Sequence, residues 1–308
     1  LSGRPLIELE YGALGEQQFA YGVHRGLLFQ QLLTLCETSG VCVQTSTQVC
    51  DFGDKGNNVH VIDQHGTQHG PFDFLIAADG SRSRLRTPAR INSRTVEYDY
   101  AAIWATGPCS HIDHRLHQVI DGTNRLVGLL PIGEGQCSFF WGLRADAYDA
   151  LVQQGLPAWK QDVIGMCPHA AELLDSIESF RQMTFAGYRH VKMKRWSGNK
   201  IVFLGDAAHP SSPHLGQGVN LALEDAACFA DALNDTQDFQ QAAARYQKLR
   251  QRKVRYYQSL TRMLTPFFQS DIPLSAACRN LGLPWLPKVP WIRRRMLQTL
   301  SGLQNGWF

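Results

Sequence analysis

The sequence lacks long apolar segments and any pattern that would pair its cysteines. None of its apolar runs approaches the ~18 residues that a membrane-spanning helix needs. A charged segment followed by an apolar core, the pattern of a signal peptide, is not visible either. The eight cysteines include no C-x-x-C pair, which gives no support to a metal site or a redox motif. We therefore expect no bound metal, a reducing compartment and a cytoplasmic location.

Charge is also sparse, and repeats are missing. Charged residues make up 19% of the chain, against a usual share of about 25%, and no internal repeat or low-complexity segment is visible. With 44% hydrophobic residues, this composition excludes a disordered chain, a coiled coil and a collagen-like repeat. The 308 residues allow about two domains at roughly 150 residues each.

The net charge of +3 conceals an uneven distribution. Residues 239–308 hold 12 Lys and Arg but one acid, Asp271, whereas the preceding residues hold 18 basic and 26 acidic side chains. The favoured interpretation is a helical tail that packs on an acidic body, with the Arg stems reaching to water. The alternative is a surface that meets anionic lipid, a peripheral membrane contact. Because no recognition motif accompanies the charge, we expect no nucleic-acid partner.

The hydrophobic pattern changes character along the chain. The middle of the sequence alternates in the manner of an antiparallel sheet, and the apolar runs 72–78 and 201–204 are typical of strands buried on both faces. The order is therefore α/β, antiparallel β, α/β again and a helical end. The predicted helices are 24–39, 145–154, 157–166, 219–234, 239–263 and 290–300, and the predicted strands include 41–46, 49–52, 59–63, 101–106, 116–120, 125–130, 137–142 and 180–189.

The strongest motif follows the apolar run 201–204. A carboxylate at the carboxyl end of a buried strand can accept hydrogen bonds from a sugar-alcohol hydroxyl. Glycines let the backbone approach a flat ligand, and the N-terminus of the following helix favours negative charge. The motif comprises Gly205, Asp206, His209, Pro213, Gly216, Gly218, Asn220 and Asp225.

A second motif follows the apolar run 72–78. Asp79 and Gly80 make a tight turn at the strand end. Arg82, Arg84 and Arg86 follow at spacing two, so they cannot all face inward. At least one is expected to face solvent or a phosphate.

Together the two motifs resemble those of the class A FAD-dependent monooxygenases, the family of para-hydroxybenzoate hydroxylase and the ubiquinone-biosynthesis hydroxylases. The resemblance runs from about residue 20 to about residue 235. It implies an α/β fold in which a Rossmann-like FAD-binding domain, incomplete here, is interrupted by a mostly antiparallel β-sheet substrate domain. The implied segments are 1–90 and 196–240 for the FAD-binding domain, 91–195 for the substrate domain and 241–308 for a helical C-terminal region.

The resemblance also implies roles for residues. Asp206 would meet the ribityl chain, residues 216–220 would lie along the pyrimidine edge of the flavin, and Pro213 would sit near its reacting face. His214 is a candidate acid or base beside that face, whereas His209 is more a scaffold residue. The implied FAD contacts are Arg25, Asp79, Gly80, Gly205, Asp206, Pro213, Gly216, Gln217, Gly218, Val219 and Asn220.

The family's first motif, a strand–G-x-G-x-x-G–helix unit, is not found in this sequence. The early glycines Gly3, Gly12 and Gly15 follow no predicted strand. We expect an N-terminally incomplete chain that lacks a site for the adenosine half of FAD, and the fragment alone to be inactive.

By the same resemblance, the reaction is hydroxylation of an aromatic or other electron-rich, lipophilic small molecule with NAD(P)H and O2 through a flavin C4a-hydroperoxide. Aromatic residues in the predicted sheet either line the substrate pocket or belong to the hydrophobic core. They are Trp104, Phe139, Phe140 and Trp141. One alternative is a catalytically incompetent fragment that acts only as a binding or peripheral membrane module. Another is a hydrolase using Ser211 or Ser212 with His209 and Asp206, but no G-x-S-x-G elbow is present.

Overall fold

A computed structural model describes residues 5–307, which form a mixed α/β fold with a helical C-terminal part. Within this range no helix is both long and apolar enough to cross a membrane. The helices are α1 (Arg25–Thr38), α2 (Tyr148–Gln154), α3 (Leu156–Met166), α4 (Ala171–Asp175), α5 (Gly218–Thr236), α6 (Phe239–Phe268), α7 (Pro273–Gly282) and α8 (Pro290–Leu300). The strands are β1 (Val49–Lys55), β2 (Asn58–Asp63), β3 (Gln68–Phe72), β4 (Leu75–Ala77), β5 (Ser93–Pro108), β6 (His117–Asp121), β7 (Arg125–Gly133), β8 (Gln136–Arg144), β9 (Thr184–Met193) and β10 (Ile201–Phe203).

The chain divides into two compact units, each assembled from separate segments. Unit 1 contains the described residues up to Cys42 together with 98–188 and 264–301, and unit 2 contains 43–97, 189–263 and 302–307. The division falls within β5 and β9. The four-segment domain scheme expected from the sequence concerns ligand binding and stays a prediction.

Unit 1 is built on a five-stranded sheet in the order β6-β7-β8-β5-β9. Strict alternation along β8 turns Phe139 and Trp141 to one face, where both are buried. Trp159 of α3 packs edge-on against both rings, at centroid distances of 6.0 and 6.3 Å. The predicted antiparallel strands are thus confirmed, and Phe139 and Trp141 belong to the core.

Unit 2 contains an antiparallel three-stranded sheet, β1-β2-β3, and a parallel pair, β4 and β10. Around β10, the buried side chains of Phe203, Phe229 and Tyr246 form the centre of an aromatic core. Burying several such side chains, each worth roughly 1.5–3 kcal/mol, stabilises the unit.

Several expectations about strands are wrong. Residues 41–46 form no strand, and the apolar run 72–78 is split between the end of β3 and the short β4. Ile76 in β4 is 44% exposed, so this strand is not buried on both faces. The cause is the width of the parallel sheet, which has only two strands among the described residues.

Candidate functional site

The two sequence motifs lie at one edge of the parallel strand pair in unit 2. Leu75 pairs with Ile201 and Ala77 with Phe203, and the Leu204 amide donates to the Ala77 carbonyl at 3.0 Å. Because parallel strands end at the same sheet edge, the turn at Asp79 and Gly80 and the turn at Gly205 and Asp206 emerge side by side. This edge is where α/β proteins bind ligands.

Arg86 ties these two turns together. Its guanidinium donates to the carbonyl oxygens of Ala207 at 2.8 Å, Asp206 at 2.9 Å, Ser81 at 3.0 Å and Gly80 at 3.2 Å. The side chain is buried. Sequence reasoning missed this role, since nothing in the local pattern distinguishes Arg86 from the neighbouring arginines.

Gly205, in the turn after β10, lets this turn approach α5 closely. Its φ of +55° lies in the left-handed region, and a Cβ at this position would stand 2.8 Å from the Cβ of Ala222. Its amide donates to Asp225 Oδ2 at 3.0 Å. Only glycine meets both requirements without strain.

Asp225 is the centre of a buried polar cluster. Its carboxylate contacts His209 Nε2 at 2.6 Å and accepts from Arg250 Nε at 2.8 Å. Burial by itself would raise the pKa of Asp225, but the hydrogen bonds from His209, Arg250 and the Gly205 amide together lower it. His209 is buried against the ring of Trp196, so its contacts hold the loop in shape, as a scaffold residue would.

Arg250 and Lys253 link this cluster to the basic α6. Arg250 donates to Glu224 Oε2 at 2.5 Å and Lys253 to Glu224 Oε1 at 2.6 Å, and Arg245 pairs with Asp235 at 2.8 Å. Part of the basic tail therefore packs on acidic side chains of α5. The sequence-based interpretation of a tail on an acidic body holds for this part of α6.

Two glycines with open space beside them, Gly216 and Gly218, lie at the start of α5, and we call them the glycine approach. A single turn of 3-10 helix spans Pro213–Leu215 and is followed by Gly216, whose φ is +64°. No heavy atom lies within 4 Å of the place where a Cβ of Gly216 or Gly218 would stand. Pro213, Gly216, Gly218, Val219 and Asn220 are exposed and Gln217 is buried.

The N-terminus of α5 faces this opening without a side-chain cap. First-turn N–H groups of a helix lack intrahelical partners and carry the positive end of the helix dipole. The combination of backbone donors, open glycines and a nearby exposed Asp206 suits a flat ligand with an anionic edge and a hydroxylated chain. The residues present therefore fit the flavin half of FAD.

His214 lies inside the same turn. Its Nδ1 is 2.9 Å from Ser212 Oγ, and burial lowers the pKa of His214 to about 4. The imidazole is consequently neutral near pH 7. Because His209 contacts Asp225 and Ser212 contacts His214, the geometry gives no support to the hydrolase alternative.

Ten of the predicted FAD contacts lie in unit 2, and one lies in unit 1. Arg25 opens α1 with an exposed side chain in unit 1, whereas the others lie in unit 2. Asp79 accepts a hydrogen bond from the Arg84 amide at 2.9 Å, which fixes the first turn. The contacts in unit 2 are Asp79, Gly80, Gly205, Asp206, Pro213, Gly216, Gln217, Gly218, Val219 and Asn220.

A parallel strand pair ending in two such turns, followed by an uncapped helix with an open glycine approach, defines an α/β protein of the nucleotide-cofactor-binding class. The model of the family described as "FAD binding domain" matches residues 9–248. The chain belongs to this family, which confirms the family resemblance of the two motifs.

Named relatives agree with this assignment. The chain is 27% identical over 234 residues to a 3-hydroxybenzoate 6-hydroxylase of Polaromonas naphthalenivorans, covering 70% of this chain and 54% of that protein. It is 28% identical over 239 residues to the aurachin C monooxygenase/isomerase of Stigmatella aurantiaca, covering 74% and 59%. The chain thus spans little more than half the length of these curated relatives.

A solved structure has the same fold. The crystal structure of Klebsiella pneumoniae HpxO complexed with FAD and uric acid matches with a TM-score of 0.74 at 21% identity, covering 91% of this chain and 72% of that one. The mixed α/β architecture with its antiparallel sheet is therefore the fold that the family resemblance implied.

Proposed function

We propose that this chain binds FAD as part of a monooxygenase that hydroxylates an aromatic or other electron-rich small molecule, with NAD(P)H as reductant and O2 as oxidant. The observation that carries the proposal is the uncapped N-terminus of α5 behind the open approach at Gly216 and Gly218. Membership of the FAD binding domain family and the names of the relatives support it.

Each part of the site has a task in this proposal. The exposed carboxylate of Asp206 accepts hydrogen bonds from the ribityl hydroxyls, and the turn at Asp79 and Gly80 lies by the pyrophosphate. Backbone N–H groups of residues 218–220 stabilise negative charge on the pyrimidine edge, where reduction places it. Pro213 covers the reacting face, and Arg25 is proposed as a further flavin contact.

When bound, FAD supplies the electron transfer from NAD(P)H and the activation of O2. The residues of the chain bind, orient and shield the group. Neutral His214 can accept a hydrogen bond but holds no proton to give as a cation near pH 7, so we assign it no acid role at that pH.

We propose the sheet of unit 1 as the substrate domain. Trp104 and Phe140 point to the sheet face opposite the buried core, with ring centroids 5.1 Å apart. The Phe140 ring lies over Gly128, where a Cβ would stand 2.1 Å from the ring. Two half-buried rings offer stacking to an aromatic substrate, which agrees with the hydroxybenzoate in one relative's name.

The flavin proposal is tested by titrating the full chain with FAD and following flavin fluorescence. Replacing Asp206 by Asn removes the acceptor charge and keeps the shape, so we expect the FAD dissociation constant to rise about tenfold or more. Asp231→Asn is the matched control, because Asp231 is exposed on α5 away from the glycine approach. Failure of the wild-type chain to bind FAD, or equal affinities of the two variants, would contradict the proposal.

A second candidate function is contact with a membrane surface by a protein of the cytoplasm. It is favoured by one observation: residues 272–308 contain five Lys and Arg and no Asp or Glu. Tyr256 and Tyr257, in the earlier part of the basic tail, are buried in unit 2. The proposed membrane contact is therefore assigned to residues 272–308.

A further inference from the structure

The helix α7 has two faces of opposite character. Arg279 is 2% exposed, and its guanidinium donates to the carbonyl oxygens of Gly122 at 2.8 Å and Phe267 at 2.9 Å. At 100° per residue, Leu274, Cys278 and Leu281 lie on the side opposite Arg279. The buried Arg279 therefore fixes which face of α7 points outward.

The outward face is apolar and continues beyond the helix. Leu274 is 70% exposed, Leu281 75% and Trp285 63%, and Cys278 is exposed as well. Leu274, Cys278 and Leu281 are spaced four and three residues apart on the helix, and Trp285 follows in the turn after Gly282; we name these four residues the α7 stripe. An exposed apolar stripe of this length on a soluble-type fold marks a contact surface.

One basic side chain lies against the stripe, and others follow on α8. The Nζ of Lys288 stands 3.9 Å from the ring centroid of Trp285, and the Arg295 guanidinium lies 5.6 Å from that of Trp291, which is 68% exposed. Arg293 and Arg294 are exposed on α8. Unlike Arg250 and Lys253, which pair with Glu224, these side chains belong to a segment without any acid of its own.

We propose that the α7 stripe and the basic residues of α8 form a docking face for a bilayer that contains anionic phospholipid. This inference rests on the second candidate function and is independent of flavin binding. Tryptophan favours the interface between water and lipid, and long cationic side chains reach from an apolar surface to the headgroups. The lack of acidic residues complements a negative surface, as it would for an interfacial helix.

The test is sedimentation of the full chain with vesicles of phosphatidylcholine alone and of phosphatidylcholine with about 30 mol% phosphatidylserine. We expect sedimentation with the anionic vesicles and its loss at high salt, which screens the attraction. Each basic residue near an anionic surface raises the partition coefficient about fivefold. The double variant R293E/R294E should therefore lower it about 25-fold or more.

Two variants separate the parts of the face, and each has a control on α6. L281S/W285S removes apolar contact and should also reduce sedimentation, whereas L249S/M263S removes exposed apolar side chains elsewhere. K248E/R255E changes the charge by the same amount as R293E/R294E at two exposed positions. Both controls, and Asp206→Asn, should sediment like the wild type, with far-UV circular dichroism showing that every variant is folded.

The outcomes distinguish the proposals. Sedimentation that R293E/R294E and L281S/W285S leave unchanged would overturn the docking face but leave the second candidate function standing. No sedimentation with either vesicle would overturn both, and retention only by membranes that still carry their proteins would assign the face to a protein partner. None of these results bears on the FAD titration.

Discussion

At the scale of single residues, Arg86 connects two turns through the hydrogen bonds of one side chain. Four carbonyl oxygens from two turns accept hydrogen bonds from one planar guanidinium. A lysine in its place could not span them, because an ammonium is a compact charge without the planar fork. The two turns that would flank a cofactor are therefore held at a fixed spacing by a side chain that is itself no ligand.

His214 makes stability depend on pH. Its pKa is lowered to about 4 in the folded chain, whereas an unfolded His takes up its proton near pH 6.5. The folded state is therefore favoured in full above pH 6.5, and this contribution is lost as the pH falls toward 4. Between pH 7 and pH 5 we expect a loss on the order of 1–2 kcal/mol in the free energy of unfolding.

The measurement is urea denaturation of the wild type and of His214→Gln at both pH values. The variant keeps a hydrogen-bonding group near Ser212 but does not titrate. Its loss of stability between pH 7 and pH 5 should be smaller than that of the wild type. Equal losses in the two proteins would show that burial does not depress the titration of His214.

Residues that lie close together in the chain could be proposed for the site from the sequence, whereas those whose partners are distant could not, and the proposed roles stay predictions. Asp206 and the glycines after it were recognisable because the motif lies within about 25 consecutive residues. Arg86, with partners 120 and 121 residues away, gave no such signal. The same holds for Arg250, whose contact with Asp225 spans 25 residues and two helices.

At the scale of elements, the contact between α5 and the turn after β10 depends on Gly205. Gly205→Ala puts a Cβ against Ala222 at 2.8 Å and forces a left-handed φ on an L-residue. Together these effects should lower the free energy of unfolding by about 3 kcal/mol. Gly216→Ala shares the left-handed φ but enters open space, so we expect a loss of about 1 kcal/mol.

Urea denaturation of the two variants at one pH compares the effects directly. The difference of about 2 kcal/mol between the two variants measures the steric cost of the contact with Ala222, separately from the cost of a left-handed φ. If Gly216→Ala were as destabilising as Gly205→Ala, the contact with Ala222 would not be the cause of the larger loss expected for Gly205→Ala.

Long periodic elements were predicted well, and so were the short elements α2, α3, β2 and β6, but one helix with an exposed apolar face was not. The alternation in β5, β7 and β8 follows from burial of one sheet face, and α5 and α6 follow from helical periodicity. By contrast, α7 was missed, because its apolar stripe faces outward and its buried side is marked by an arginine. Periodicity signals a core only when the apolar face is the covered one.

At the scale of the whole molecule, the number of residues between two contacting segments should determine which contacts form first during refolding. The β7–β8 hairpin turns between Gly133 and Gln136, whereas Leu75 pairs with Ile201, 126 residues further along. Closing the longer loop costs more conformational entropy. During refolding we expect the amide of Phe140, which lies opposite Gly128 in the hairpin, to gain protection from hydrogen exchange before the amide of Leu204, which donates to the Ala77 carbonyl, as pulse labelling would measure. The reverse order would contradict this view.

The turn around Asp79 has a consequence for synthesis of the chain. Its partner turn at Asp206 emerges from the ribosome only after the whole sheet of unit 1, and the Asp225 cluster is complete only once Arg250 has followed. The proposed site is thus complete only after Arg250 has been made. A nascent chain can meet a flavin before that point, yet it acquires the proposed means to retain one only afterwards.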